Sequence, residues 1–186
     1  MRIGPLLLGL AVLACSARSA RAQVFVGPNL EWNYLRFAED TGEDSGSMLS
    51  VGGYYINPGL RLGYLFPGAG WTVWADTGIQ SEHFGSFEYT SIIVQPTVSY
   101  LLQRERATSP YLALAGGVHH SGYSFEKLTR FSVGGAVGVR HRIAAGHGAI
   151  RGEFRYDYYP EEDTKGFILP QSVIGLRLGC DLLFAR

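Results

Sequence analysis

The sequence predicts an all-β fold, an eight-stranded antiparallel up-and-down transmembrane β-barrel. Three observations lead to this prediction. Polar and apolar residues alternate with period two through most of the chain, which indicates strands with two unlike faces. Glycine, serine, asparagine and charges of both signs form the polar faces, while aromatic residues gather near the strand ends. Charged residues make up only 17% of the chain, against about a quarter in an average soluble domain.

The first 22 residues are predicted to be a signal peptide and not part of the fold. They have a basic start at Arg2, an apolar run over 6–14, and a small-x-small cleavage site at 20–22. We therefore expect two parts, a signal peptide at 1–22 and an outer-membrane barrel at 23–186. The protein is expected to cross the inner membrane and to reside in the bacterial outer membrane.

Eight strand-like segments follow, each long enough for a tilted spanning strand of about 9–11 residues. They lie at 23–37, 50–66, 71–80, 88–102, 110–120, 129–143, 149–160 and 171–185. Long polar connections are predicted at 38–49, 81–87, 121–128 and 161–170. Shorter turns are predicted at 67–70, 104–109 and 144–148. This alternation of long and short connections indicates a meander with one rim of loops and one rim of turns.

Each strand is predicted to turn its apolar face outward. In chain order these faces contain Val24, Val26, Leu30, Trp32 and Tyr34; Tyr54, Ile56, Leu60, Leu62, Tyr64 and Phe66; Trp71, Val73, Ala75 and Ile79; Phe131, Val133, Val137 and Val139; Ile150, Phe154, Tyr156 and Tyr158; and Ile174, Leu176, Leu178, Leu182 and Phe184. The fifth strand is weaker, because alanine and glycine blur its two faces.

The polar faces are predicted to line the lumen, because glycine beside arginine suits a narrow interior that must be closely packed. The chain has 14 arginines and 2 lysines, and the arginine fork suits desolvated, bidentate pairing. Both lysines, Lys127 and Lys165, fall in predicted loops. The charges expected inside, as structural pairs and not as an ion path, are Glu31, Arg61, Asp76, Arg140, Arg151, Glu153, Arg155, Asp157, Arg177 and Asp181.

One register follows from the shortest turn. If Phe66 pairs with Trp71 across 67–70, Arg61 lies directly opposite Asp76. Removing one partner of such a buried pair is expected to destabilise the barrel, and replacing both with neutral residues is expected to recover most of the loss.

Aromatic residues and prolines refine this picture. Girdles at the two membrane interfaces are expected from Trp32, Tyr34, Tyr54, Tyr64, Phe66, Trp71, Tyr100, Tyr111, Tyr156 and Tyr158. Proline removes a backbone donor, so we expect local breaks in the ladders at Pro28, Pro58 and Pro96.

The segments FSVGGAVGVRHRI, AIRGEFRYDYY and SVIGLRLGCDLLF resemble the strand pairs that end the small OmpA/OmpX-like outer-membrane barrels. The resemblance implies an eight-stranded barrel with short periplasmic turns and longer extracellular loops. Outer-membrane lipid, lipopolysaccharide and the barrel-assembly machinery are then the expected partners, and we expect a monomer. The 16 basic and 16 acidic residues balance, which does not indicate a nucleic-acid partner.

The expected function is envelope integrity, adhesion or surface recognition through the extracellular loops, with no catalytic, cofactor or metal residues. A first alternative is a lipid A acyl hydrolase that uses His119 and Ser121, with Glu126 as an acidic partner. Strand parity puts that pair on the lumen side, whereas lipid A lies outside. A second alternative is a soluble, lipocalin-like barrel that binds an apolar ligand. The acidic runs 39–44 and 161–163 are interpreted as solvated loops, since neither has a calcium-loop pattern.

Overall fold

The computed structural model describes residues 23–37, 45–50, 59–66, 69–84, 87–123, 126–143, 147–160 and 171–185. The predicted signal peptide, the acidic runs and Lys165 lie outside these residues. The strands are β1 (Gln23–Arg36), β2 (Ser45–Ser50), β3 (Leu60–Leu65), β4 (Trp71–Phe84), β5 (Phe87–Leu101), β6 (Thr108–Tyr123), β7 (Glu126–Ile143), β8 (Gly148–Tyr158) and β9 (Ser172–Ala185). In the part of the chain described, no helix is long and apolar enough to cross a membrane.

The strands form one closed antiparallel sheet. From β3 to β9 each strand pairs with the next along the chain, and β9 pairs with β1 from Gln23↔Ala185 to Arg36↔Ser172. β2 and β3 both pair with β1 and share one place in the barrel, which makes the barrel eight-stranded. The predicted all-β, up-and-down fold is confirmed.

The second predicted strand, 50–66, is wrong as a continuous element. β2 pairs with Glu31–Arg36 of β1, whereas β3 pairs with Gln23–Pro28 of β1. The two ladders differ in register by seven residues, because the paired residue numbers add up to 81 in Glu31↔Ser50 and to 88 in Gln23↔Leu65. Only Asn29 and Leu30 of β1 separate the two ladders, and residues 51–58, which connect β2 to β3 along the chain, lie outside the described residues. Period-two alternation alone does not reveal a change of register of this kind.

Two predicted long loops, 81–87 and 121–128, are also wrong. β4 and β5 stay paired up to Phe84↔Phe87, and β6 and β7 stay paired up to Tyr123↔Glu126, so most of each predicted loop belongs to a pair of strands. Lys127 therefore belongs to β7. The backbone ladder of an antiparallel pair does not require alternating side chains, and in these segments the alternation of polar and apolar residues is lost.

The outward faces carry the apolar residues, as predicted. Leu114 is 76% exposed and Ile79 is 72% exposed, whereas the polar residues between the apolar ones are buried. Among the predicted girdle residues that the structure describes, Tyr111 is the exception, because it is 4% exposed and points inward. The β1–β9 ladder skips Pro28 and the β5–β6 ladder skips Pro96, as the missing proline donors require; Pro58 and Tyr54 lie outside the described residues.

The interior has three layers. The terminal end, where β1 begins and β9 ends, contains a cluster of apolar residues that includes Phe25, Leu65, Leu101 and Leu183. The loop end, where β1 ends and β9 begins, contains Leu35, Ile93, Tyr159 and Val173. Most of the charged side chains lie between these clusters, so water has little access to them from either end.

Candidate functional site

Asp76 is the centre of the charged lumen and is completely buried. The pairing of β3 with β4 puts Arg61 directly opposite it. Arg61 donates from Nε to Asp76 Oδ1 at 2.7 Å and from Nη2 to Oδ2 at 2.9 Å. Arg177 donates from Nη1 to Oδ2 at 2.8 Å, and Trp74 and Asn29 donate as well. Donors from four side chains thus replace the water that this carboxylate loses on burial.

Glu153 extends the network across the lumen from β8. Its Oε2 lies 3.3 Å from Arg61 Nη2, and its Oε1 lies 3.4 Å from Arg177 Nη1. Tyr111 donates its hydroxyl to Glu153 Oε2 at 2.7 Å. Arg177 also donates from Nη2 to Glu31 Oε2 at 2.8 Å. The two guanidinium groups therefore bridge carboxylates on strands that are not neighbours, which ties opposite walls of the barrel together.

A second group lies toward the loop end. Arg155 and Asp157 are two residues apart on β8 and so share its inner face. Arg155 donates from Nε to Asp157 Oδ2 at 2.6 Å and from Nη2 to Oδ1 at 3.0 Å. Gln95 Nε2 donates to the same Oδ1 at 3.0 Å. Arg155 Nη1 is 3.8 Å from Glu153 Oε1, which joins this group to the central one.

A third group lies toward the terminal end, where two arginines face one carboxylate. Arg151 donates from Nε to Asp181 Oδ1 at 2.9 Å, and its Nη2 makes a short contact with Asn29 Oδ1. Arg140 Nε lies 3.8 Å from Asp181 Oδ2, too far for a hydrogen bond. The guanidinium of Arg140 lies over the ring of Phe25, 5.4 Å from its centroid.

The structure puts all ten predicted lumen charges inside the barrel, each at most 7% exposed. The sequence analysis missed Arg130, which is 5% exposed and lies 4.6 Å from the ring centroid of Tyr159. Arg130 lies two residues before Ser132, which is on the inner face of the sixth predicted strand. Continuing the alternation back from Ser132 would therefore have predicted that Arg130 points inward. Tyr111 and Trp74 were not predicted as donors in the network, because alternation gives the face of a residue and not its partner across the lumen.

Inward glycines make room for these side chains. A Cβ atom added at Gly179 would lie 2.5 Å from Arg151 Nη2. One added at Gly138 would lie 2.4 Å from the ring of Tyr111. Neither position can take a side chain unless a buried arginine or tyrosine moves, which is the physical reason why glycine alternates with arginine on these strands.

His119 and Ser121 also point inward and are 4% and 8% exposed. The His119 Nε2 atom forms a hydrogen bond of 2.8 Å with Ser91 Oγ on the neighbouring strand β5, so this nitrogen bonds to Ser91 and not to Ser121. The side chain of Glu126 is not among those described. His120 lies on the other face, where its Nδ1 is 2.8 Å from Thr129 Oγ1.

No three histidine, cysteine or carboxylate side chains come together as a metal site in the described ranges. Cys180 is exposed on the outer face of β9.

Comparison with known proteins shows the fold. Searches with protein-family profiles and against curated protein sequences find no match. Among solved structures, Neisserial surface protein A is similar with a TM-score of 0.59 and 13% identity, over 88% of this chain and 97% of that chain. Ail, the attachment invasion locus protein of Yersinia pestis, is similar with a TM-score of 0.50 and 16% identity, over 89% of this chain and 99% of that chain. A second structure of Ail, in complex with the heparin analogue sucrose octasulfate, has a TM-score of 0.50 and 15% identity over the same shares. With its closed sheet, apolar outer face and charged lumen, the chain has the fold of the small eight-stranded outer-membrane β-barrels.

Proposed function

We propose that this protein is an integral outer-membrane scaffold that displays loops at the cell surface. The observation that carries the proposal is the inverted distribution of polarity. The outer wall is apolar over a continuous band, including Leu114, Val137, Phe154 and Leu176, each more than 45% exposed. The inner wall carries buried ion pairs. A water-soluble barrel of this design would expose its apolar side chains and bury its charges, which is unfavourable on both counts.

The lumen supports a structural role. Arg61, Arg177, Asp76 and Glu153 fill its centre, and apolar clusters close it at both ends. A barrel of eight strands has an interior just wide enough for side chains. Such a barrel holds the ends of its loops at fixed positions, so recognition of other molecules falls to the loops. This arrangement also disfavours a lipocalin-like function, since buried charged side chains occupy the centre of the lumen.

The loops are the proposed site of adhesion, surface recognition or a contribution to envelope integrity. The segments 38–44 and 161–163 together contain seven acidic residues and no basic residue. Ail has been solved with a heparin analogue, a sulfated polyanion. The acidic segments of this chain would repel such a ligand, so we propose a cationic or neutral partner for them.

Export and assembly complete the proposal. The predicted signal peptide at 1–22 would direct the chain across the inner membrane. We propose that the barrel then inserts, as a monomer, through the barrel-assembly machinery and contacts lipid and lipopolysaccharide. Trp32 and Tyr34 at one end and Trp71 and Tyr100 at the other are 40–50% exposed, which suits the two membrane interfaces.

Replacing the acidic residues of 39–44 and 161–163 by serine is expected to leave the barrel intact and to reduce adhesion of the expressing cells. Insertion is measured by detergent-dependent extraction from outer membranes and by heat-modifiable migration on a detergent gel. The matched control is Glu105→Ser, in a turn at the opposite rim. Equal adhesion of both variants would contradict the role of the acidic loops. Recovery of folded protein from the periplasmic fraction without detergent would contradict the membrane assignment.

The alternative enzymatic function has one supporting observation, the hydrogen bond of His119 with a serine hydroxyl. A lipid A acyl chain lies outside the barrel, however, and His119, Ser91 and Ser121 are all buried inside. We therefore propose that this cluster is structural.

Changing His119 and Ser121 together to alanine is expected to leave the acyl pattern of host lipid A unchanged, as measured by mass spectrometry. His120→Ala, a neighbouring histidine on the outer face, is the control. If overexpressed wild-type protein and the control removed an acyl chain and the double variant did not, the protein would be a lipid A hydrolase.

A further inference from the structure

The terminal end of the lumen contains a small cavity of about 20 Å³. Its walls include Phe25, Thr72, Leu101, Arg140, Arg151 and Asp181. A cavity needs roughly 10–15 Å³ of this kind of volume to hold one water molecule. The space therefore fits one water-sized or halide-sized particle, and it is too small for phosphate or an organic carboxylate.

Residues that line this cavity carry buried polar atoms without protein partners. Within the described residues, Nε and Nη2 of Arg140, Nη1 of Arg151 and Oγ1 of Thr72 have no hydrogen-bond partner although each is buried. Arg140 itself is 7% exposed. Arginine N–H groups can only donate, so a single acceptor in the cavity would satisfy atoms from two arginines at once.

The charges around the cavity do not cancel. Arg140 and Arg151 together carry two positive charges. Asp181 is the one carboxylate among the described residues that line the cavity. The other buried carboxylates are engaged elsewhere, for example Asp76 by Arg61 and Arg177. Asp181 also bonds mainly to Arg151, at 2.9 Å, and lies 3.8 Å from Arg140. A buried charge without a counter-charge is costly, so Arg140 needs an anion that the described side chains do not supply.

We propose that this cavity binds one small monovalent anion of the halide class, such as chloride, between Arg140, Arg151 and Thr72. The two guanidinium groups supply charge and N–H donors, and the threonine hydroxyl supplies a third donor. Phe25 and Leu101 form an apolar wall that suits a weakly hydrated halide. The anion neutralises the excess positive charge, which a water molecule in the same place does not do. Asp181 faces the same space, and its two oxygens are directed toward the arginines.

The test is urea unfolding of the purified, refolded barrel in detergent, at constant ionic strength, in sodium chloride and in sodium gluconate. Gluconate is too large for the cavity. We expect the barrel to be more stable in chloride. Above the dissociation constant, each tenfold rise in chloride should multiply the folded-to-unfolded ratio by about ten. Crystals grown with bromide should show an anomalous peak between Arg140 and Arg151.

Arg140→Met is expected to abolish the difference between chloride and gluconate. Arg142→Gln is the matched control, since it removes one arginine from the same strand, but Arg142 is exposed and donates to the backbone carbonyls of Glu105 and Arg106. Thr72→Val is a milder variant that should weaken the chloride response if Arg140→Met does not fold. Equal wild-type stability in the two salts would overturn the proposal. So would an undiminished response in Arg140→Met or, if that variant does not fold, in Thr72→Val.

Discussion

Replacing Asp76 by alanine is expected to lower the free energy of unfolding by about 3–5 kcal/mol, the usual cost of breaking a buried ion pair. The physical reason is that two buried arginines each lose a close carboxylate acceptor. Arg61 loses bonds of 2.7 and 2.9 Å, and Arg177 loses one of 2.8 Å. Both side chains are 1% exposed, so water cannot replace the carboxylate. Urea unfolding in detergent or lipid vesicles measures the change.

Glu88→Ala is the matched control for this experiment. The Glu88 carboxylate lies 3.4 Å from His83 Nδ1, and both side chains are about two-thirds exposed, at 68% and 66%. Exposed ion pairs contribute roughly 0–1 kcal/mol, so this variant should remain close to wild type. An Asp76→Ala barrel as stable as the Glu88→Ala barrel would mean that the central network contributes nothing to folding.

The double variant Arg61→Met with Asp76→Leu should recover only part of the loss. Recovery of most of it would be expected for an isolated pair, but the structure surrounds this pair with further partners. Arg177 would still lack its bond to Asp76, and Glu153 would lose its contact with Arg61 at 3.3 Å. Full recovery would show that the coupling to β8 and β9 is weak. Comparing the single variant with the double variant therefore shows whether Arg61 and Asp76 act as an isolated ion pair or as part of a larger network.

The sequence alone was sufficient to predict which faces of several strands point inward or outward, and to predict the register between β3 and β4. Alternation assigned inward and outward residues correctly along β1, β9 and β7 as far as Arg140, because a slip by one residue would exchange the two faces of a strand. It was wrong for Arg142, which has the inward parity but is exposed at the end of β7. The register of β3 with β4 followed from their short turn, and the structure has Phe66 N bonded to Trp71 O at 3.0 Å. The opposition of Arg61 and Asp76 is a direct consequence.

Other features could not be read from alternation. Tyr111 was predicted for the aromatic girdle, yet it is buried against Glu153, since composition near a strand end does not fix the face. The contacts of Arg177 with Asp76, between strands that are not adjacent, depend on the curvature of the closed barrel. The ends of the hairpins at Phe84 and Tyr123 were missed because the alternation of polar and apolar residues is lost there, although the backbone ladders continue to Phe84↔Phe87 and Tyr123↔Glu126.

Leu114→Arg is expected to destabilise the barrel in lipid vesicles by about 2–4 kcal/mol, the cost of an arginine on the lipid face near the bilayer midplane. Leu114 lies near the middle of β6, is 76% exposed, and is flanked by Val98 on β5 and Gly135 on β7. The matched control is Leu102→Arg, because Leu102 is 54% exposed in the turn that follows β5.

The depth of the substituted position decides the outcome. Near the interface the same substitution costs roughly 0–1 kcal/mol, so Leu102→Arg should remain close to wild type. In a water-soluble barrel both leucines would face solvent, and both substitutions would stay within about 0.5 kcal/mol of wild type. A large loss at position 114 and a small one at 102 is therefore the pattern that only a bilayer around the outer wall produces. Equal and small effects at both positions would mean that the apolar wall faces water, and the charged lumen would then belong to a secreted, soluble barrel.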